Sequence, residues 1–182
     1  WKSWARTGKP VVKEYQDEFF VRHALVLDTF FDTDYSEVFE EAVSVAASFA
    51  CSIQTQESLL DLMFVGTEAY CFTAGRGLGH TDKMLEILAC VRACKNRPFR
   101  MLHQLVVERY SSLSGCICVL QSWDEERRRF ISHLDSLGIP MLVLVVVDRE
   151  TIHGLARDPV SASREGFHRL EVGKIAEGLA KL

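Results

Sequence analysis

Three acidic side chains fall where predicted strands give way to loops, and carboxylates in such places can bind a cation. A buried apolar run ends in Asp28, the loop that follows contains Asp32, and Asp124 comes after a later strand. In alternating α/β chains, the carboxyl ends of central strands form the ligand-binding edge of the sheet. Magnesium prefers oxygen ligands of this kind. The pattern therefore makes a magnesium-dependent, phosphatase-like hydrolase one interpretation of the chain.

The acids also have an ordinary structural interpretation. Asp34 precedes Glu37 by three residues, the spacing of a capping box, and Asp124 opens a second amphipathic run. Both are therefore predicted to be helix N-caps. Two carboxylates about 4 Å apart would repel each other by roughly 4 kcal/mol at an effective dielectric constant of about 20. Their close approach would need a cation or protonation.

Other catalytic and nucleotide-binding motifs are incomplete. Phosphatases of the haloacid-dehalogenase type need a second Asp two residues after the first, where this chain has Phe30. The glycine-rich stretch 75–82 has His80 where a Walker A loop needs Lys. We interpret this stretch as a turn with unusual dihedral angles. The chain has no G-x-S-x-G elbow for a nucleophilic serine.

Length and composition indicate one domain spanning residues 1–182. The formal net charge is −4, which argues against a nucleic-acid partner. The basic run 127–129 is interpreted as a solvated helix face. No apolar run approaches the about 20 residues of a membrane span. The initial Trp1 indicates a fragment of a longer protein.

The six cysteines fall in apolar patterns without the paired spacing of a zinc site. We therefore expect reduced, mostly buried thiols and a reducing compartment. They are Cys51, Cys71, Cys90, Cys94, Cys116 and Cys118.

Buried runs alternate with amphipathic stretches and so predict the architecture. The predicted strands are 11–20 (a lead-in strand), 23–30, 59–65, 69–72, 116–121, 141–147 and 167–172. Only Gly66, Thr67 and Glu68 separate two of them, too few for a crossover helix, so this pair is an antiparallel hairpin. We predict a three-layer, Rossmann-like α/β sandwich with a mostly parallel six-stranded sheet and one antiparallel edge strand.

The opening residues 1–14, W-K-S-W-A-R-T-G-K-P-V-V-K-E, closely resemble a family signature, W-K-x-x-A-R-T-G-x-L-x-V-K-E. The signature is that of a bacterial family with a von Willebrand factor A-like domain, called domain of unknown function 58. Weaker matches follow in the family's order at 26–28, 39–43, 147–148 and 170–173. The resemblance covers nearly the whole chain and implies a fold of the von Willebrand factor A type.

The resemblance also implies a metal-ion-dependent adhesion site, built from D-x-S-x-S, a Thr and a later Asp. Phe30 and Asp32 stand in place of the two serines, and Trp123 stands in place of the later Asp. The implied ligands are Asp28, Asp32, Thr81, Ser122 and Asp124. This degenerate site is expected to hold magnesium weakly or not at all. The apolar side chains of Phe30, Phe31 and Trp123 predict a protein contact face there.

Members of this family often carry membrane segments upstream and are commonly encoded beside MoxR-type AAA+ ATPases. The resemblance implies a non-enzymatic adaptor domain without a cofactor, at the cytoplasmic face, working with such an ATPase in protein maturation or complex assembly. Any membrane contact would come from segments outside this chain. A hydrolase using Asp28, Asp32 and Asp124 is the alternative.

Overall fold

A computed structural model describes residues 21–32, 36–53, 58–75, 78–151 and 166–182, without the side chains of 78–80. The signature at 1–14, the predicted lead-in strand at 11–20 and the predicted N-cap Asp34 lie outside these residues.

Six strands form one sheet, and their order confirms the predicted architecture. β1 lies near the centre of the order β3-β2-β1-β4-β5-β6. β3 pairs antiparallel to β2 at one edge, and every other pairing is parallel. The carboxyl ends of five strands therefore meet at the same edge of the sheet. The strands are β1 (Val21–Leu27), β2 (Ser58–Val65), β3 (Ala69–Ala74), β4 (Gly115–Leu120), β5 (Met141–Val147) and β6 (Phe167–Glu171).

Helices flank the sheet, as a Rossmann-like sandwich requires. They are α1 (Glu37–Ser52), α2 (Leu78–Cys90), α3 (Arg100–Val107), α4 (Glu125–Ser136) and α5 (Ile175–Leu179), with a 3₁₀ turn at Tyr110–Ser112. In the part of the chain that the structure describes, no helix has the length and apolarity needed to cross a membrane.

Two hydrophobic cores lie on opposite faces of the sheet, because successive strand side chains point to opposite sides. In β1, Ala24 and Val26 join the core beneath α3 and α4. Leu25 and Leu27 join the core beneath α1, α2 and α5. Both faces of the central strands are therefore covered, as their unbroken apolar runs predict.

Two local predictions about helix starts need correction. Helix α1 begins at Glu37, and its N-cap is Ser36, whose hydroxyl accepts a hydrogen bond from the backbone N–H of Phe39 at 3.4 Å. Ser and Asp are both good N-caps, and it is Ser36 that directly precedes the first helical residue. The stretch 75–82 is also not a turn throughout, because α2 already begins at Leu78.

The cysteines are free thiols, but only half of them are core residues. Cys94, Cys116 and Cys118 are buried, Cys71 is half-buried, and Cys51 and Cys90 are exposed. The prediction of mostly buried thiols is therefore wrong for the helical pair Cys51 and Cys90. Their helices present these positions to solvent.

Candidate functional site

Asp28 is the first residue after β1 and is fully buried. Its backbone N–H donates to the carbonyl of Val119 at 2.9 Å. Its own carbonyl accepts from the side-chain amide of Gln121 at 2.6 Å. The two central strands β1 and β4 thus hold Asp28 at the carboxyl edge of the sheet, where the sequence placed it.

Arg127, in the first turn of α4, supplies the positive charge that this buried acid needs. Its Nε lies 3.0 Å from Asp28 Oδ2, and its Nη2 lies 3.2 Å from Asp28 Oδ1. Only 9% of the Arg127 side chain and none of the Asp28 side chain is exposed. This two-point contact is the strong geometry for an arginine–carboxylate pair.

Asp124 holds the same guanidinium from the other side. Its Oδ2 accepts from Arg127 Nη1 at 2.6 Å, while its Oδ1 accepts from the backbone N–H of Arg127 at 3.0 Å. The predicted N-cap role of Asp124 is therefore confirmed. Asp124 therefore has two roles: it caps α4, and it orients the Arg127 side chain that pairs with Asp28.

Aromatic rings close the site over the guanidinium. The Arg127 guanidinium carbon lies 4.4 Å from the ring centroid of Phe99, a cation–π contact. Phe99 packs edge-on against Phe30 and Phe130, with centroids 5.4 and 5.6 Å away. The ion pair is thus shielded from water, which strengthens it and raises the cost of breaking it.

The pKa shifts agree with this arrangement. Burial alone would lower the pKa of Arg127, but the charge and hydrogen bonds of Asp28, helped by Asp124, outweigh it and raise that pKa. Burial alone would raise the pKa of Asp124, but the backbone hydrogen bond and charge of Arg127 outweigh it and hold that pKa below its usual value. Arg127 and Asp124 are therefore both held in their charged forms.

The carboxylate of Asp28 has its acceptor capacity filled by protein donors. Oδ1 accepts from the backbone N–H of Phe30 at 3.0 Å and from Arg127. Oδ2 accepts from the backbone N–H of Gln121 at 3.3 Å and from Arg127. Two oxygens offer about four lone-pair directions, and four donors use them.

A divalent metal does not fit this site as it stands. A magnesium ion would need an Asp28 oxygen at about 2.0–2.1 Å, and it would have to displace a buried guanidinium of the same charge sign. Among the described residues, no group of three or more His, Cys, Asp or Glu side chains could hold a metal ion. The chemistry that this arrangement supports is charge pairing and rigid positioning.

The structure brings together four of the five predicted ligands, namely Asp28, Asp32, Ser122 and Asp124. Ser122 donates its hydroxyl to Asp124 Oδ2 at 3.2 Å. Asp32 is exposed beside them and lines the same cleft of about 510 Å3. Thr81 lies on α2, half-buried, and is not among the described residues of that cleft. We name this cleft the Asp124 cleft; its walls are Phe30, Phe31, Asp32, Cys94, Lys95, Arg97, Ser122, Asp124 and Arg127.

The predicted contact face is only partly present. Phe30 and Phe31 are half-buried and line the Asp124 cleft. Trp123 is only 7% exposed, and its ring packs edge-on against Phe167 with centroids 4.7 Å apart. Its assignment to the contact face is therefore wrong, because the segment after β4 turns this side chain into the core beneath α4.

Arg127 is the residue that the sequence reasoning missed, because the run 127–129 was interpreted as a solvated helix face. That interpretation fits Arg129, which is exposed and pairs with Glu125 at 2.8 Å. The spacing within α4 nevertheless indicates that the side chain of Arg127 points inward. Arg127 lies three and four residues before the buried Phe130 and Ile131, so it shares the inward stripe of α4.

Neither models of known protein families nor curated proteins match this chain.

Proposed function

We propose that this chain is a non-enzymatic protein-interaction domain in which the Arg127 guanidinium stands where a metal-dependent relative would hold its cation. Following the signature at 1–14, we propose that its partner is a MoxR-type AAA+ ATPase in protein maturation or complex assembly. The domain would act at the cytoplasmic face, with a degenerate adhesion-type site.

The observation that carries this proposal is the two-point contact between Arg127 and Asp28. An acid whose lone pairs are all engaged is a poor nucleophile, base or metal ligand, which counts against the hydrolase alternative. The guanidinium of Arg127 is part of the chain, so the carboxyl edge of the sheet keeps one conformation around Asp28 without a metal ion from solution. A fixed, partly apolar surface suits protein contact.

The half-buried rings of Phe30 and Phe31 support the same conclusion. They line a cleft that also has basic and acidic walls, Arg97 and Asp32. Interfaces commonly combine aromatic anchors with a charged rim. The Asp124 cleft offers both within one continuous surface.

The test is direct binding to a MoxR-type AAA+ ATPase from the same organism, measured by biolayer interferometry. Phe31→Glu should weaken binding at least about tenfold, because it puts a charge into the apolar wall. Tyr110→Glu, the same charge placed on an exposed aromatic residue outside the Asp124 cleft, should have little effect. Equal binding by wild type and Phe31→Glu would overturn the proposed contact face.

A second measurement addresses the hydrolase alternative. Wild-type protein should release no nitrophenol from p-nitrophenyl phosphate in magnesium or manganese buffer. Metal-dependent release that disappears in Asp28→Asn would show that Asp28 is catalytic and would overturn the proposal.

A further inference from the structure

A second and larger cavity, of about 750 Å3, opens beside the Asp124 cleft. It lies between the turn joining β2 to β3, helix α2, and the segment 91–97 that follows α2. We name it the basic groove. Its volume is in the range of pockets that bind ligands or side chains of a partner.

The floor of the basic groove is apolar and aromatic. Phe64 and Tyr70 face each other across the β2–β3 hairpin with ring centroids 4.9 Å apart. Phe64 is buried, whereas Tyr70 is 39% exposed. Ile87 on α2 and Val91 directly after it, both half-buried, continue this surface. An exposed tyrosine on such a floor offers a contact for an apolar side chain.

The rim of the basic groove is positively charged, although the whole protein has a net charge of −4. The side chains of Arg92, Lys95 and Arg97 are exposed along it. Among the described residues of the wall, the fourth basic residue is Lys83 and the acidic one is Glu86, and these two form an ion pair of 2.8 Å. A local excess of positive charge on an acidic protein selects acidic partners and repels basic ones.

The segment that carries the basic rim is fixed to the sheet edge. The backbone N–H of Cys94 donates to the carbonyl of Thr29 at 2.7 Å, and Cys94 forms a parallel bridge with Phe30. The thiol of Cys94 donates to the carbonyl of Gly66 at 3.3 Å. The rim therefore has a defined position next to the Asp28–Arg127 pair.

The two cavities adjoin each other, because Cys94, Lys95 and Arg97 line both of them. Two adjoining cavities with a shared basic wall suit an extended chain better than a compact small molecule. An extended chain could place alternate side chains on the apolar floor and on the rim.

We propose that the basic groove binds an extended acidic segment of a partner protein. An apolar side chain of that segment packs on Tyr70, and its carboxylates pair with Arg92 and Arg97. The inference rests on the proposed function, protein interaction, and adds the chemistry of the partner and a second place of contact.

The test uses three fluorescein-labelled synthetic peptides and fluorescence anisotropy with the full chain. The first alternates Glu with Leu and Trp, the second replaces each Glu with Lys, and the third replaces each Leu and Trp with Ala. The first should bind in the micromolar range, and the other two should bind at least about tenfold more weakly. Binding of the Lys peptide equal to that of the Glu peptide would overturn the inference.

Variants of the chain test whether the acidic peptide binds in the basic groove. Arg92→Glu combined with Arg97→Glu should weaken the acidic peptide at least about tenfold, and Tyr70→Ala should weaken it several-fold. The charge-matched control combines Arg169→Glu with Lys181→Glu, two exposed positions outside both cavities, and should keep wild-type affinity. An equal loss in this control would show a response to net charge alone and would overturn the inference.

The remaining outcomes separate this inference from the proposed function. Pyrophosphate that displaces the peptide at equal concentration would assign the groove to a small anion and overturn the inference. Loss of ATPase binding in Phe31→Glu, together with no binding of the acidic peptide, would overturn the groove inference and leave the proposed function standing. Peptide binding without any ATPase binding would support the groove and overturn the proposed partner.

Discussion

Arg127 reaches across the amino end of α4 to clamp both carboxylate oxygens of Asp28, with contacts of 3.0 and 3.2 Å. The two residues are 99 positions apart in the chain. Asp28 directly follows the central strand β1, and Arg127 lies on a helix that covers the sheet. The contact therefore ties together two layers of the sandwich at its carboxyl edge.

Arg127→Ala should destabilise the protein by about 3–5 kcal/mol, because it leaves the Asp28 charge buried without a partner. Urea denaturation followed by circular dichroism measures the loss. Arg129→Ala is the matched control on the same helix, and its exposed pair with Glu125 should contribute roughly 0.5 kcal/mol or less. Similar losses in both variants would show that the Asp28–Arg127 pair has no special role.

The pair should also show thermodynamic coupling. Asp28→Asn alone leaves a buried guanidinium underpaired, whereas Asp28→Asn combined with Arg127→Met removes both charges. The double variant should be less destabilised than the sum of the single variants, with a coupling energy of about 1–3 kcal/mol. Strict additivity in the same urea experiment would contradict the ion pair.

Magnesium should distinguish wild type from Arg127→Ala. In wild type, protein donors fill the lone pairs of Asp28, so magnesium should leave the melting temperature unchanged. Arg127→Ala removes two of the four donors to the Asp28 oxygens, one from each oxygen, and Asp124 lies near them, so magnesium should raise the melting temperature by binding the folded state. Differential scanning fluorimetry with and without magnesium measures both.

The control for this effect is Arg127→Ala combined with Asp28→Asn, which should lose the response to magnesium. A wild-type protein whose melting temperature rises with magnesium, and no longer does so in Asp28→Ala, would show that a metal site is intact. That result would contradict the role assigned to Arg127.

The fold could be predicted because its signals are local. Strand β5 is a continuous apolar run, as expected for a strand covered on both faces, and the three residues between β2 and β3 force a hairpin. Asp28 could be placed because it directly ends such a run. These features need no knowledge of what packs against them.

The site could be predicted only in part because its decisive contacts are not local. Trp123 follows a strand end and was expected on the surface, but its contact with Phe167 depends on how the last strand joins the sheet. Arg127 could be placed on the inward stripe of α4 from its spacing to Phe130. Its pairing with Asp28 depends on the position of that helix over β1, which spacing does not fix.

Acidification should destabilise the protein through the histidine pair on α3 and α4. His103 Nε2 lies 2.7 Å from His133 Nδ1. Burial, and then the charge of His133, lower the pKa of His103 in the folded state. The unfolded chain therefore binds more protons in the window below about pH 6.5, so stability is present above that value and is lost as the pH falls.

Urea denaturation across this window measures the effect. His103→Gln should lose less stability on acidification than wild type, because it removes the group that resists protonation. Ser132→Ala, an exposed change beside His133 on the same helix, should keep the wild-type pH dependence. Identical pH profiles for wild type and His103→Gln would rule out a contribution from this pair.

Trp123 and Phe31 should separate stability from binding. Trp123 is buried against Phe167 in the core beneath α4, so Trp123→Ala should cost about 3–5 kcal/mol of unfolding free energy. Phe31 is half-buried on the wall of the Asp124 cleft, so Phe31→Ala should cost only about 1 kcal/mol while weakening binding to the proposed AAA+ ATPase partner. Urea denaturation and biolayer interferometry on both variants give the two quantities. If Trp123→Ala kept its stability and lost binding, Trp123 would belong to the contact face, and its place in the core would be wrong.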